Sequence, residues 1–174
     1  MLKLSETFLS VPVLSLRTGG PVGTLIEPII NPNNLKVEGW FVEDRFNKDR
    51  VVLLAQDVRD ILPQGIAVND HEVLSKPDEL VRLKEILEYD FKLAGKYVTT
   101  ESGQKVGKVS DYAVETESMF VQKIYVGQSI LKSFGGGSLS VDRSQIIEIT
   151  NRRIVIEDPV NKARVKATSP SPAS

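Results

Sequence analysis

Few residues in this chain combine the type and the spacing that chemistry requires. The only histidine, His71, stands in "VNDHEVL" beside Asp70 and Glu72. A metal centre needs several convergent ligands in a settled geometry, and one imidazole among flexible carboxylates does not supply it. His71 therefore reads as a surface or capping histidine. The glycine run in "SFGGGS" invites comparison with a phosphate cradle, but a P-loop places Lys and then Ser or Thr directly after its last glycine, at the start of a helix. Here Ser138, Leu139 and Ser140 follow and lead into a strand. The run reads as a hairpin insertion. The chain has no cysteine, which removes disulfides, thiolate catalysis and Cys-rich zinc sites together. No nucleophile and base pairing is visible either. The expectation is a protein that is not an enzyme, with no catalytic, cofactor-binding or metal residue and no cofactor.

What remains are residues suited to contact. Asp142, Arg143 and Gln145 in "VDRSQIIEI" offer a recognition surface, yet at the start of a strand such residues satisfy turn backbone and pair locally. Arg152 and Arg153 in "TNRRI" can touch phosphate, although two arginines on a nearly neutral domain read as a solvated turn. Trp40, Phe41, Phe120 and Tyr125 fall on matching strands and are assigned to core filling. Phe134, beside three glycines, is the first candidate for an aromatic exposed for binding.

The charge balance narrows the partners. There are 22 Lys and Arg against 23 Asp and Glu, which argues against a domain built around a polyanion. Taken by segment, residues 1–75 carry 7 basic and 10 acidic side chains, and residues 97–158 carry 7 and 8. Only the end of the chain is locally basic, through Lys162, Arg164 and Lys166. With 41% apolar and 26% charged residues the chain has the composition of a globular protein with a core. The opening stretch, with Glu6 and scattered serines, lacks the unbroken apolar centre of a secretion signal. No run approaches the roughly 18 apolar residues of a membrane span. A soluble cytoplasmic protein without an integral membrane segment is expected.

The elements that must present these residues come from a duplication. "GGPVGTLIEPIINPNNLKVEGWFV" from Gly19 is echoed by "GQKVGKVSDYAVETESMFVQKIYV" from Gly103. At an offset of 84, Gly19 meets Gly103, Gly23 meets Gly107, Val37 meets Val121 and Val42 meets Val126. After four extra residues near "SFGGGS" the offset becomes 88, and Val58 meets Ile146, Ile66 meets Ile154 and Asp70 meets Asp158. One insertion in a glycine-rich loop brings the whole second half into register, as a repeat requires.

Each copy reads as five or six short strands. The tip glycines supply positive φ for a tight hairpin. Gly23 and Gly107 sit inside the returning strand, where glycine costs stability unless the strand bends or another backbone comes close. Both properties suit the corner of a small closed barrel, which has no exposed edges. Between the copies, "SKPDELVRLKEILEYDFKLAG" predicts a helix from near Pro77 to near Lys92. Ser75 would cap it, Leu80, Leu83, Ile86 and Leu87 would form its apolar stripe, and Gly95 would follow its end. The domain scheme is a first barrel over 1–75, a connecting helix over 76–96, a second barrel over 97–158, and a flexible Pro/Ser tail over 159–174.

"GQKVGKVSDYAV", "FVQKIYV" and "LSVDRSQIIEITNRRIVI" resemble the PRC-barrel family, and residues 13–70 resemble it more loosely. The family takes its name from the cytoplasmic barrel of the photosynthetic reaction-centre H subunit, and it includes the C-terminal half of a ribosome maturation factor. The resemblance implies a mainly β fold of two tandem small PRC-type β-barrels joined by one amphipathic α-helix. It also implies an adaptor, because members dock onto other macromolecules and are not known as enzymes. It carries no catalytic motif to transfer, and fold alone does not assign function.

Two functions are therefore expected in order: a non-catalytic protein-interaction module docking onto a larger assembly, and an RNA- or ribosome-associated maturation factor. Near-neutral charge favours a protein partner over RNA, since phosphate contacts need clustered Lys and Arg. Because a ligand bound only by the folded state raises its stability, neither EDTA nor added ATP or GTP should shift the melting temperature. A shift with any of them, read by differential scanning fluorimetry, would restore a metal or nucleotide site.

Overall fold

The computed structural model describes residues 1–128 and 138–158, which form mainly β structure with one short α-helix. Phe134, most of the glycine-rich loop and the Pro/Ser tail lie outside the described residues. The chain divides into two compact units, residues 1–93 with 111–122, and residues 94–110 with those from 123 onward.

The first copy of the repeat supplies β2 (Pro12–Ser15), β3 (Pro21–Ile30), β4 (Val37–Asp44), β5 (Arg50–Leu54), β6 (Val58–Leu62) and β7 (Gly65–Val68). They lie in the order β5-β4-β3-β2-β7-β6. All neighbours are antiparallel except β2 and β7, which run parallel with Val13 opposite Ile66 and Ser15 opposite Val68. β5 and β6 are the two outermost strands, yet only residues 55–57 connect them, in a single 3₁₀ turn. Across a flat sheet of this size those edges would stand roughly 24 Å apart, at about 4.8 Å per strand. Three residues span at most about 10 Å. The sheet must curl until its edges approach. Val13, Leu25, Trp40, Val42, Leu53 and Ile66 are all at most 1% exposed and form the core of the curl.

The second copy repeats this plan. Its strands are β8 (Tyr97–Thr100), β9 (Lys105–Glu115), β10 (Val121–Gln128), β11 (Leu139–Asp142), β12 (Ile146–Ile149) and β13 (Arg153–Ile156). Their order is β11-β10-β9-β8-β13-β12, again with one parallel pair, β8 and β13. β1 (Leu2–Leu4) adds to the same sheet on β9. A 3₁₀ turn at Arg143–Gln145 joins the outermost strands, as in the first copy. The bulges recur as well: the register shift at Val13/Leu14 returns at Val98/Thr99, and that at Val58/Asp60 returns at Ile146/Glu148. Pairing of Val13 with Gly23 and of Val98 with Gly107 sets the first strands 85 residues apart, so the turn after β2 is one residue longer than the turn after β8.

The glycines show why the plan needs them. Gly19 (φ 76°) and Gly103 (φ 85°) take the left-handed conformation at equivalent hairpin tips. A Cβ on Gly23 would meet the Glu43 carbonyl oxygen at 2.9 Å and press into the Val42 side chain. A Cβ on Gly107 would overlap the Gly127 carbonyl oxygen. The second backbone that glycine admits is therefore the neighbouring strand itself.

Leu35 (φ 57°) and Met119 (φ 61°) also adopt the left-handed conformation at equivalent hairpin tips. Both belong to the first unit, where the two hairpin tips bond reciprocally. Val37 N–H donates to the Met119 carbonyl at 2.8 Å, and Val121 N–H donates to the Leu35 carbonyl at 2.9 Å. Repeat copies and compact units are thus different divisions of the chain, because the tip of the second copy's long hairpin packs with the first unit.

The connecting segment departs from the expected helix. Pro77–Glu79 and Val81–Leu83 are separate 3₁₀ turns, and α1 covers only Lys84–Tyr89. Ser75 caps nothing, because its backbone exchanges hydrogen bonds with Val52 on the edge of β5. Leu80, at φ −93° and ψ 70°, breaks the helical path. The helix ends at Asp90 in the left-handed conformation, five residues before Gly95. Leu80, Leu83, Ile86 and Leu87 are only half-buried. The residues that dock the segment on the first unit are Phe91 and Leu93, at 5% and 2% exposure. Lys92 assists by bonding Glu27 at 2.7 Å.

Gly23→Ala and Gly107→Ala should each lower stability by about 1–3 kcal/mol, the cost of forcing atoms into packed space. A fall in the urea midpoint at constant slope is the expected reading, and unchanged midpoints would mean that the strands do not approach so closely.

Candidate functional site

The polar groups of the first unit gather where β2, β4 and β7 end. Ser15, 1% exposed, donates from Oγ to Asp70 Oδ1 at 3.0 Å, and its Oγ accepts the Thr18 N–H at 3.2 Å. Arg17 donates from Nε to the other oxygen of Asp70. The Arg17 hydrogen bond, then the His71 N–H and the Ser15 hydroxyl, hold the Asp70 carboxyl down at about 2, from an ordinary 3.8.

His71 does not engage the flanking carboxylates through its ring. Its Nε2 lies 2.6 Å from Oδ2 of Asp44, a residue 27 positions upstream at the end of β4. Burial alone would raise the Asp44 pKa, but the Phe46 N–H and His71 outweigh it and leave Asp44 lowered. Phe46 stands edge-on to the imidazole at 5.0 Å between centroids and is 68% exposed. A carboxylate orienting an imidazole is two-thirds of a nucleophilic triad, yet the hydroxyl of Ser15 is directed at Asp70. This network fastens loops. Among the described residues no group of three or more His, Asp or Glu converges as a cation site.

The second copy carries a counterpart of the same fastening. Thr100, 2% exposed, bonds Ser102 through their hydroxyls at 2.9 Å, and Ser102 donates to Asp158 at 3.1 Å. Asp70 and Asp158 are equivalent in the repeat, so a hydroxyl-to-aspartate link closes the same end of both parallel strand pairs.

The surface suited to contact lies on the second unit. A groove of ≈ 1070 Å³ runs over β8 and β9, with Val98, Val106, Val109, Gly107 and Gly127 among its lining residues. Its charged lining residues are Lys105, Lys108, Arg152 and Arg153, and no acidic residue lines it. Tyr97 is 59% exposed and lies opposite Lys108 across the strand pair, with the Lys108 Nζ 4.9 Å from the ring centroid. Arg152 and Arg153 project from a fixed turn. Thr150 Oγ1 accepts both of their N–H groups at 3.3 and 3.1 Å, and Lys96 Nζ donates to the Asn151 carbonyl at 2.7 Å. Burial lowers the pKa of that lysine.

Charge follows the units more closely than it follows the repeat copies. The first unit carries 11 Lys and Arg against 18 Asp and Glu, a net −7. The second carries 11 against 5, a net +6, with 7 of its 11 basic residues in the described part. Asp111, Glu115 and Glu117 produce much of the contrast, because their hairpin tip belongs to the first unit.

The remaining contact residues divide. Asp142 and Gln145 form a reciprocal capping box, with the Asp142 N–H donating to Gln145 Oε1 at 2.9 Å, so they serve their own turn. Trp40 is in the core, stacked on Phe8 at 5.3 Å. Phe41, Phe120 and Tyr125 are half-buried, with Arg50 over the Phe41 ring at 4.0 Å and Lys36 by Phe120 at 5.9 Å. Phe134 lies outside the described residues, and the exposed aromatics among those described are Phe46, Tyr89 and Tyr97. Sequence reading missed Tyr97, whose signal was its place opposite Lys108 in an antiparallel hairpin.

No family model and no curated protein matches the chain. Among the described residues no helix is long and apolar enough to cross a membrane.

Because folding depresses the Asp70 pKa, its stabilisation is complete above 3.8 and disappears as pH falls from there towards 2. Asp70→Asn should melt below the wild type near neutral pH. The gap should narrow below 3.8 and close near 2, as followed by circular dichroism melts across an acid series. A constant gap would locate the contribution elsewhere.

Proposed function

We propose that the protein is a non-catalytic adaptor that docks onto a larger assembly, with the groove of its second unit as the contact surface. The observation that carries this reading is the groove's construction, an apolar floor beneath four cations. Interface centres combine apolar area with aromatic and Arg anchors in this way. The hydroxyls and the histidine of the first unit support the same reading, since their hydrogen bonds are directed into the scaffold.

The architecture that we propose is a tandem PRC-type barrel, 1–75 and 97–158, connected through 76–96, in a cytoplasmic protein. The three-residue links between outermost strands support closure of each sheet. The second reading, an RNA- or ribosome-associated factor, draws on the positive charge of the second unit.

Tagged wild-type protein and an Arg152→Glu/Arg153→Glu variant, captured in parallel from the source cells, separate these readings. The adaptor reading expects a protein assembly on the wild type that is lost from the variant. Nuclease-sensitive recovery of ribosomal components would promote the second. Identical recoveries from both proteins would remove the groove from the function.

A further inference from the structure

Resting on the adaptor reading, we infer that the groove over β8 and β9 takes an acidic polypeptide segment with apolar side chains at its centre. Charge complementarity sets the sign of the partner. Lys105, Lys108, Arg152 and Arg153 line the groove with no carboxylate among them. They are four of the 7 basic residues that the described part of the second unit carries, against 5 acidic ones.

The floor sets the class. Single-stranded nucleic acid binds basic grooves by stacking its bases on free aromatic faces. Among the described residues this groove has one exposed aromatic, Tyr97, and that ring already carries the Lys108 ammonium. The rest of the lining is aliphatic, with Val106 half-buried and Val98 and Val109 buried at 1% and 2% exposure, which suits Leu, Val or Phe side chains over Val106. At Gly127 no side chain stands between a ligand and the backbone, so an extended chain can lie close. The turn that projects Arg152 and Arg153 is held by Thr150 and Lys96, so little ordering cost falls on binding.

The test is fluorescence polarisation of the full chain with a panel of labelled peptides in which Leu, Val or Phe pairs are flanked by Glu and Asp. Three controls accompany them: peptides with Ser in place of the apolar pair, peptides with Lys in place of the acids, and oligouridylate of matching charge. Acidic peptides with apolar centres should bind. Their affinity should fall by about tenfold or more with the Ser or Lys replacements and with Lys105→Glu/Lys108→Glu, and should weaken as salt rises. Arg152→Ser/Arg153→Ser serves as the milder variant, with an unchanged melting temperature as the check on folding. No binding by any panel member, binding that ignores the groove variants, or tighter binding of oligouridylate would each overturn the inference. Groove-dependent capture of a cellular assembly without peptide binding would leave the adaptor reading standing alone. Peptide binding without a cellular partner would do the reverse.

Discussion

Each copy of the repeat is organised by the parallel pairing of its first strand with its last, β2 with β7 and β8 with β13. Val13 meets Ile66 across more than fifty residues of chain, a costly loop to close. Once that pair is made, the antiparallel strands between have no flat arrangement left, because the short turn after β5 or β11 must join the two outer edges. Curling follows, and with it a backbone approach too close for a Cβ at Gly23 and Gly107. The link from Ser15 to Asp70, and its counterpart from Thr100 through Ser102 to Asp158, sits where the paired strands end. It ties the chain where it leaves the pair.

This constraint explains which features the copies keep and which they change. Bulges, tip glycines and left-handed Leu35 and Met119 recur at equivalent turns and strand pairs of the two copies. Surface residues are free of that demand. The first copy joins Asp44 to His71, and the second lines a groove with Lys and Arg. Divergence over a retained core leaves the two units with different surfaces.

The polar chemistry of the first unit shows how a suggestive residue set acquires a structural role. Ser, His and Asp are all present, but Ser15 is buried and directed at Asp70, and His71 is directed at Asp44. A triad needs the hydroxyl and the imidazole to face one another. Here the carboxylates separate them, and each pair secures one crossing of the chain.

The sequence by itself determined the duplication, the β character and the need for glycine at Gly23 and Gly107, since these follow from side-chain period and local backbone conformation, but it did not single out Gly39 and Gly65, where a Cβ would meet the Leu53 and Pro12 carbonyls. It overstated the connecting helix. Leu80, Leu83 and Leu87 have helical spacing, but pairing of Ser75 with Val52 on the edge of β5 and burial of Phe91 outweigh that local preference. Only the tertiary structure decided that His71 meets Asp44, that Arg152 and Arg153 share a groove with Lys105 and Lys108, and that an acidic hairpin tip belongs with the first unit. Those facts depend on which distant strands pair. Pairing is selected by the free energy of the whole sheet, and no short window of sequence contains it.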